Sequence, residues 1–484
     1  MGFVFTPLWD VPDEYGHYSY VKHISESHTL PVLWKAKIDS DVWQHAYPGS
    51  TGIPGNNWIV QHPPLFYLLA APVDKIFAAI TDDPNIRFRS ARLVSALFAS
   101  LGILFIYLTL YEVSRNQVIA IFSMLLPMSL PMLTNLASGT THDTLLVFLH
   151  SVAAVFFVKA IKEDNFTKHS AICALFLGLA CVTKYTSLIS SFAILACLTV
   201  LNPFRTWKDK IKVGSICGIL SLLPIGLWAL RNKVLLGYYL PLNSTRIDGS
   251  LVKKMTLTYH EYVHDLTPLE HFYMNFVGLI GWAETGMKQL DGYPTVIAGF
   301  LSLILLVATS HYYVMKIVSW IKNNLLSALF APILVALPLW FYNDLLAHRP
   351  FYKFPQVFMS FFSVVLAYGV MVIAYLFPWL KPRFKNKALF IKISALFVTL
   401  FYCFVFLTKL KQTAEFNGAL RATHGRYFFS LFPFIFVGAY YPGFVLVKQT
   451  LKKRGELLVV LIGVIVVILD GLIHVYEIAP WFYR

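Results

Sequence analysis

Apolar residues in this chain run in long blocks, not in a two- or 3.6-residue rhythm. Twelve windows of roughly 20 residues stand out, about the length of a helix that crosses a bilayer, although the first of the pair around Lys184 is short. They lie at about 93–113, 117–137, 142–161, 169–183, 185–201, 212–230, 292–315, 325–342, 354–376, 388–408, 427–447 and 457–476. A helix facing lipid is apolar all round, so length and the basic breaks between windows define them better than periodicity does. The stretch 268–284 holds Glu270 and His271 and reads as an interfacial helix. The pattern predicts an all-α polytopic membrane protein, a bundle of about 12 transmembrane helices. It forms one domain over 1–484, in which 9–92 and 232–291 are long external loops carrying interfacial helices and 292–484 supplies the C-terminal helices.

Composition agrees. Of 484 residues, 57% are hydrophobic and 13% charged, about half the charged share of a soluble domain. This excludes an ordinary soluble enzyme, a disordered chain and a disulfide scaffold. The five cysteines, Cys173, Cys181, Cys197, Cys217 and Cys403, fall in apolar stretches and read as small core residues. Met1 to Trp9 are too short to span and lack a basic region, so no cleavable signal peptide is expected.

The formal net charge of +15 is unevenly placed. One set of short loops, from Arg115 to Arg454, holds 19 of the 40 basic residues and only five of the 25 acids. That is +14 on one side and +1 elsewhere. Such an excess marks the cytoplasmic side, and it argues against a nucleic-acid partner.

The opposite face carries the polar sequence. Val11-Pro12-Asp13-Glu14-Tyr15-Gly16-His17 sets two carboxylates beside the membrane. Partial burial would raise one of them toward the pKa of a working general base. The plainer reading is acids at a helix N-terminus. Further along come Gln61-His62-Pro63-Pro64-Leu65-Phe66-Tyr67, Arg87-Phe88-Arg89-Ser90-Ala91-Arg92, Ser138-Gly139-Thr140-Thr141-His142-Asp143, Val182-Thr183-Lys184 and Gly425-Arg426-Tyr427.

In order and sidedness this set resembles the GT-C superfamily of integral-membrane glycosyltransferases. These include the protein O-mannosyltransferases and the aminoarabinose transferases of lipid A; a bacterial branch opening on Pro-Asp-Glu-x-x-His is the nearest likeness. The resemblance covers most of the chain. It implies sugar transfer, with inversion, from a polyprenyl-phosphate donor to a lipid, glycan or protein acceptor, on the periplasmic or extracellular face of a bacterial inner membrane. Asp13 or Glu14 would match the family's first acid and Asp143 its second. His17, His62, Arg89, Arg92, Lys184, Arg426 and Tyr427 are the substrate-binding candidates. Arg and Lys would offset the charge gained by the leaving phosphate, although Arg89 and Arg92 also suit lipid headgroups. No metal ligands are assigned; a divalent cation held with help from Asp143 is compatible with the set. The family also places a full span ahead of the acid motif, where only nine residues precede Asp10.

Rival readings rest on other residues. His260-Glu261-Tyr262-Val263-His264 has the zinc-protease spacing, and Asp470-Gly471 could add a ligand. However, its setting is a polar loop stopped by Pro268. An intramembrane acid is a functional candidate, yet Asp470 with His474 also suits a buried pair near a helix end. A transporter would place ionisable groups at mid-membrane, whereas here they gather at one face. A polysaccharide polymerase or ligase would favour a late Arg-rich external loop over an N-terminal acid pair.

The charge asymmetry is directly testable. Single cysteines at positions 13 and 383 of a cysteine-free background should react with an impermeant maleimide from opposite sides. Labelling from one side only would overturn the orientation.

Overall fold

The computed structural model describes residues 6–241, save 53, 129 and 202–205, and beyond them 279–280, 285–286, 307–315, 391–402, 425–451 and scattered positions between 454 and 468. The windows at 325–342 and 354–376 lie outside the described residues. So do the interfacial stretch 268–284 (apart from 279–280), the zinc-protease spacing at 260–264, and Asp470 with His474.

The region read as a first external loop is mostly helical. Helix α1 (Glu14–Ser27) follows Pro12. α2 (Ser40–Ala46) starts where the Asp39 carboxylate accepts from the backbone N–H groups of Asp41 and Val42, the usual satisfaction of orphan donors at a helix start. A 3₁₀ turn, Trp58–Gln61, is capped by Asn57, and α3 (Leu65–Ile80) follows the Pro63-Pro64 pair. One side of α3 buries Phe66, Tyr67, Ala70, Ala71 and Asp74. The other exposes Leu68, Leu69, Ile76 and Ile80, as a helix lying at a lipid interface would.

The short α4 (Pro84–Phe88) leads into α5 (Ser90–Ser114). Then come α6 (Gln117–Met128), α7 (Pro131–Ser138), α8 (Asp143–Lys162), α9 (Phe166–Cys181), α10 (Ser187–Leu201) and α11 (Trp207–Leu236). Late in the chain a 3₁₀ segment, Gly425–Leu431, precedes α12 (Phe432–Ile435), a π turn at Phe436–Tyr440 and α13 (Tyr441–Leu451). The one β ladder among the described residues pairs Leu279–Ile280 with Thr285–Gly286.

Among the described residues, four stretches are long and apolar enough to cross a membrane: Pro84–Ser114, Asp143–Lys162, Lys208–Leu236 and Phe428–Leu451. The protein is thus an all-α polytopic membrane protein, as the pattern predicts. Other expected spans take another form: the windows at 169–183 and 185–201 give shorter apolar helices, Phe166–Cys181 and Ser187–Thr199. The window 117–137 breaks between α6 and α7, where Leu130 is extended (φ −92°, ψ 109°) ahead of Pro131. Proline lacks the N–H that would continue the helix and disfavours helical backbone in the residue before it.

α5 packs along α8, and α9 packs along both α8 and α11. Two glycines permit the approach. A Cβ on Gly102 of α5 would lie 3.0 Å from Val147 Cγ1 of α8, and one on Gly178 of α9 would lie 2.3 Å from the Leu220 carbonyl oxygen of α11. Polar side chains collect at both ends of this bundle. At the C-terminal end of α5, Arg115 pairs with Glu112 at 2.7 Å, and Lys162 donates to the Glu112 carbonyl. There too Asn116 donates to Glu456 at 3.0 Å, and Lys448 pairs with the same Glu456. The other end, about 37 Å away along a 25-residue helix, holds the acids of the N-terminal motif.

Gly178 yields a prediction. Gly178→Val should push α9 off the α11 backbone and cost about 2 kcal/mol or more, read as a lower melting temperature in detergent. An unchanged melting temperature would show that this contact is not tight.

Candidate active site

The N-terminal acids separate in the fold. Glu14, the first residue of α1, is fully buried and meets Arg92 of α5 bidentately. Arg92 Nε donates to Glu14 Oε1 and Nη2 to Oε2, both at 2.7 Å. The backbone N–H of Thr140 adds a bond to Oε1 at 2.9 Å, and that of Trp9 one to Oε2 at 2.8 Å. Four donors thus occupy one carboxylate. Arg92 also donates to the carbonyls of Thr6 (2.6 Å) and Pro7 (2.7 Å), and Arg89 Nη1 to that of Thr6 (3.0 Å). Both arginines therefore hold the N-terminal segment. The close approach of that segment to the α7–α8 turn needs Gly139, where a Cβ would meet Val11 at 2.4 to 2.6 Å.

Asp13 is placed differently. It is half-buried, sits at the N-cap of α1 with φ 64°, and makes no side-chain capping bond. Left-handed backbone in a residue with a Cβ is uncommon and is retained at functional sites more often than elsewhere. Both acids do open a helix, Asp13 at the N-cap and Glu14 in the first turn; Glu14 in addition turns to Arg92, and the Asp13 carboxylate makes no capping bond.

Around the Tyr67 hydroxyl several elements converge. His17 Nδ1 of α1 shares a hydrogen bond with it at 2.9 Å, and His142 Nδ1, just before α8, another at 3.3 Å. The His62 ring lies 4.4 Å from that of His142, and the His17 ring 4.9 Å, centre to centre. His142 Nε2 lies 3.5 Å from Asp143 Oδ1, an electrostatic contact. Lys184, in the turn between α9 and α10, donates to Asp143 Oδ1 at 2.5 Å. Burial, then the neighbouring Tyr20, then the charges of Asp143 and Asp13 push the Tyr67 hydroxyl well above its usual pKa. Tyr67 is therefore protonated at every physiological pH, and both aspartates bear on it.

Of the residues singled out in the sequence, His17, His62, Asp143 and Lys184 gather here, and the charge of Asp13 reaches the Tyr67 hydroxyl. Glu14, Arg89 and Arg92 form the adjoining clamp. The backbone of Arg426 and Tyr427 lies in the 3₁₀ segment that packs on α8; their side chains lie outside the described residues. Sequence reasoning missed Tyr67 and His142. Both stand inside segments picked out there, one in the Pro-Pro stretch and the other beside Asp143, but only the fold shows them touching. Among the described residues no three His, Cys, Asp or Glu side chains are set to hold a metal ion.

A second polar cluster lies behind α1. Asp74, fully buried on α3, accepts from the Tyr18 hydroxyl and from Arg87 Nη2 at 3.1 Å, and Arg87 also reaches Glu26 at 2.9 Å. Lys22 meets Asp39 at 2.8 Å and Asp41 at 2.7 Å. Burial works against the Lys22 charge, but the bonds to Asp39 and Asp41 outweigh it, and its pKa is raised. These contacts fasten α1 to α2, α3 and α4.

Residues 61–228 match the family model described as dolichyl-phosphate-mannose-protein mannosyltransferase. The GT-C glycosyltransferase resemblance is borne out. The matched region holds His62, Tyr67, Arg92, His142, Asp143 and Lys184, while Asp13, Glu14 and His17 stand ahead of it. No curated protein matches the chain. Two solved structures overlap loosely. ArnT from Cupriavidus metallidurans, bound to undecaprenyl phosphate, shares 14% identity over 93% of this chain and 76% of its own, with a TM-score of 0.35. The Archaeoglobus fulgidus oligosaccharyltransferase, in complex with zinc and sulfate, shares 14% identity with a TM-score of 0.32. This chain is 93% covered in that overlap but spans only 53% of that protein's length. Overlaps this loose add nothing to the family match.

The Glu14–Arg92 pair can be measured. Glu14→Gln leaves a buried guanidinium without its counter-charge and should cost about 3–5 kcal/mol of stability. A double change at Glu14 and Arg92 should lose less than the sum of the two single changes. Additive losses in melting experiments would show that the two side chains are not coupled.

Proposed function

We propose that this glycosyltransferase moves a sugar from a polyprenyl-phosphate donor to a hydroxyl or amine acceptor, with inversion, and that Asp13 is the general base. The description of the matched family supports a lipid-phosphate donor. The observation that carries the choice of base is that the Asp13 charge bears on the Tyr67 hydroxyl, which His17 and His142 also meet. Glu14 is filled by four donors and Asp143 is paired with Lys184. Asp13 is half-buried, caps nothing and stands beside the Tyr67 cluster.

The reaction sets three demands. The acceptor must lose a proton to a base within about 3 Å. The anomeric carbon must meet the nucleophile in line, which is a matter of positioning. The departing phosphate gains charge and needs fixed cations. Asp13 meets the first demand. His17, His62 and Tyr67 line the place where the sugar and acceptor would be oriented. Lys184, steered by Asp143, and Arg426, on the segment packed against α8, are assigned to the phosphate. Arg suits phosphate bidentately and Lys serves as a point charge. Arg89 and Arg92 are assigned to holding the N-terminal segment instead.

The charge asymmetry supports a face outside the cytoplasm, and the family resemblance a bacterial inner membrane. The acceptor is a lipid, glycan or protein presented on that face.

Asp13→Asn should lower transfer from polyprenyl-phosphate-linked hexoses by at least about 100-fold while leaving the melting temperature within about 2 °C of wild type. Full activity in Asp13→Asn would remove Asp13 as the base.

A further inference from the structure

Two residues after Asp13, the buried Tyr15 ring is surrounded by three others. Those of Trp43 on α2, Tyr47 just after it and Trp58 in the 3₁₀ turn lie 6.2, 5.8 and 5.6 Å from it, centre to centre. Their planes stand at 75°, 77° and 82° to that of Tyr15. Trp43 and Tyr47 also meet each other, at 4.4 Å and 44°. Near-perpendicular rings set the positive edge of one against the negative face of another, which fixes the group. Trp43 and Trp58 are part-exposed, and Tyr47 is 40% exposed. The Trp43 indole nitrogen is buried, so the ring offers carbon to the outside rather than a donor. Burial, then Tyr47, then the Asp13 charge push the Tyr15 hydroxyl above its usual pKa. The group thus lies within electrostatic reach of Asp13.

Aromatic rings at the outer end of a membrane protein commonly form a belt among lipid headgroups. The neighbours of this group are wrong for that. α2 and the loop after it expose Asp41, Gln44, Ser50 and Thr51, whereas α3 exposes Leu68, Leu69, Ile76 and Ile80 to the interface. The cluster therefore faces water, and an apolar patch with a polar rim in water marks a binding surface. A pyranose ring suits such a surface. One of its faces carries C–H hydrogens, slightly positive and drawn to the negative face of an aromatic ring. Its hydroxyls point outward to a polar rim, where exposed Gln44 stands one turn before Tyr47. We infer that Trp43, Tyr47 and Trp58 form a carbohydrate-binding platform that holds a pyranose ring of the acceptor beside Asp13. The acceptor is then a glycan. This rests on the transferase reading, with Asp13 as the base.

Saturation-transfer NMR on the full chain in phospholipid nanodiscs tests this. The probes are soluble oligosaccharides of glucose, galactose, mannose and N-acetylglucosamine. At least one should bind, with saturation strongest at its ring C–H hydrogens. Tyr47→Ala, which removes the outermost ring, should weaken that binding about tenfold, while Tyr47→Phe, which keeps the ring, should stay within about threefold of wild type. Both variants should melt within about 2 °C of wild type, since the side chain is largely outside the core. A wild type that binds none of the oligosaccharides would overturn the platform, as would Tyr47→Ala binding them like wild type. Choline chloride serves as a second probe, because aromatic rings beside an acid can hold a quaternary ammonium. Binding of choline in place of the oligosaccharides would also overturn the platform. These measurements need neither donor nor turnover, so they hold or fail apart from the transferase reading, which the Asp13→Asn assay tests.

Discussion

Two opposite charges 78 residues apart, Glu14 and Arg92, are sealed together where water does not reach. Burying either one alone would be costly, and only close pairing with every lone pair satisfied makes the arrangement tolerable. The pairing satisfies them with backbone from elsewhere: Trp9 and Thr140 donate to Glu14, while Thr6 and Pro7 accept from Arg92. One ion pair thereby fixes three segments against each other, the N-terminal stretch, the start of α5 and the α7–α8 turn. Asp13 is carried into place as the neighbour of Glu14, and Asp143 as the residue three beyond Thr140. The site exists because the clamp is dry.

The same bundle separates its charges by end. Acids and histidines meet at the start of α5 and α8, while Arg115, Lys162 and Lys448 gather with Glu112 and Glu456 at the far end. A bilayer enforces this division, since its core stabilises neither sign of charge. The middle of the bundle is held by close packing, with glycines at the tightest helix crossings.

Much of this was legible in the chain. Window length and basic loops defined α5, α8 and α11 because the cost of exposing backbone to lipid leaves little choice but a helix. Proline at 131 was visible, yet its effect was not: apolar composition on both sides hid the break between α6 and α7. The roles within the site were less legible. Asp13 and Glu14 are adjacent and chemically alike, and nothing in their order says that Glu14 is the one Arg92 binds bidentately. Tyr67 and His142 were present in highlighted segments, but a hydrogen bond between residues 75 apart leaves no local trace.

What the sequence determined by itself was the solvent. Its apolar blocks specify a membrane bundle, because this follows from transfer free energies that act residue by residue. What only the tertiary structure decided was the division of labour among those polar residues. Which carboxylate is paired, which hydroxyl bridges two histidines and which lysine meets which acid depend on distances of a few ångströms between separate helices, and hydrogen bonds and ion pairs in a dry interior are strong only at those distances.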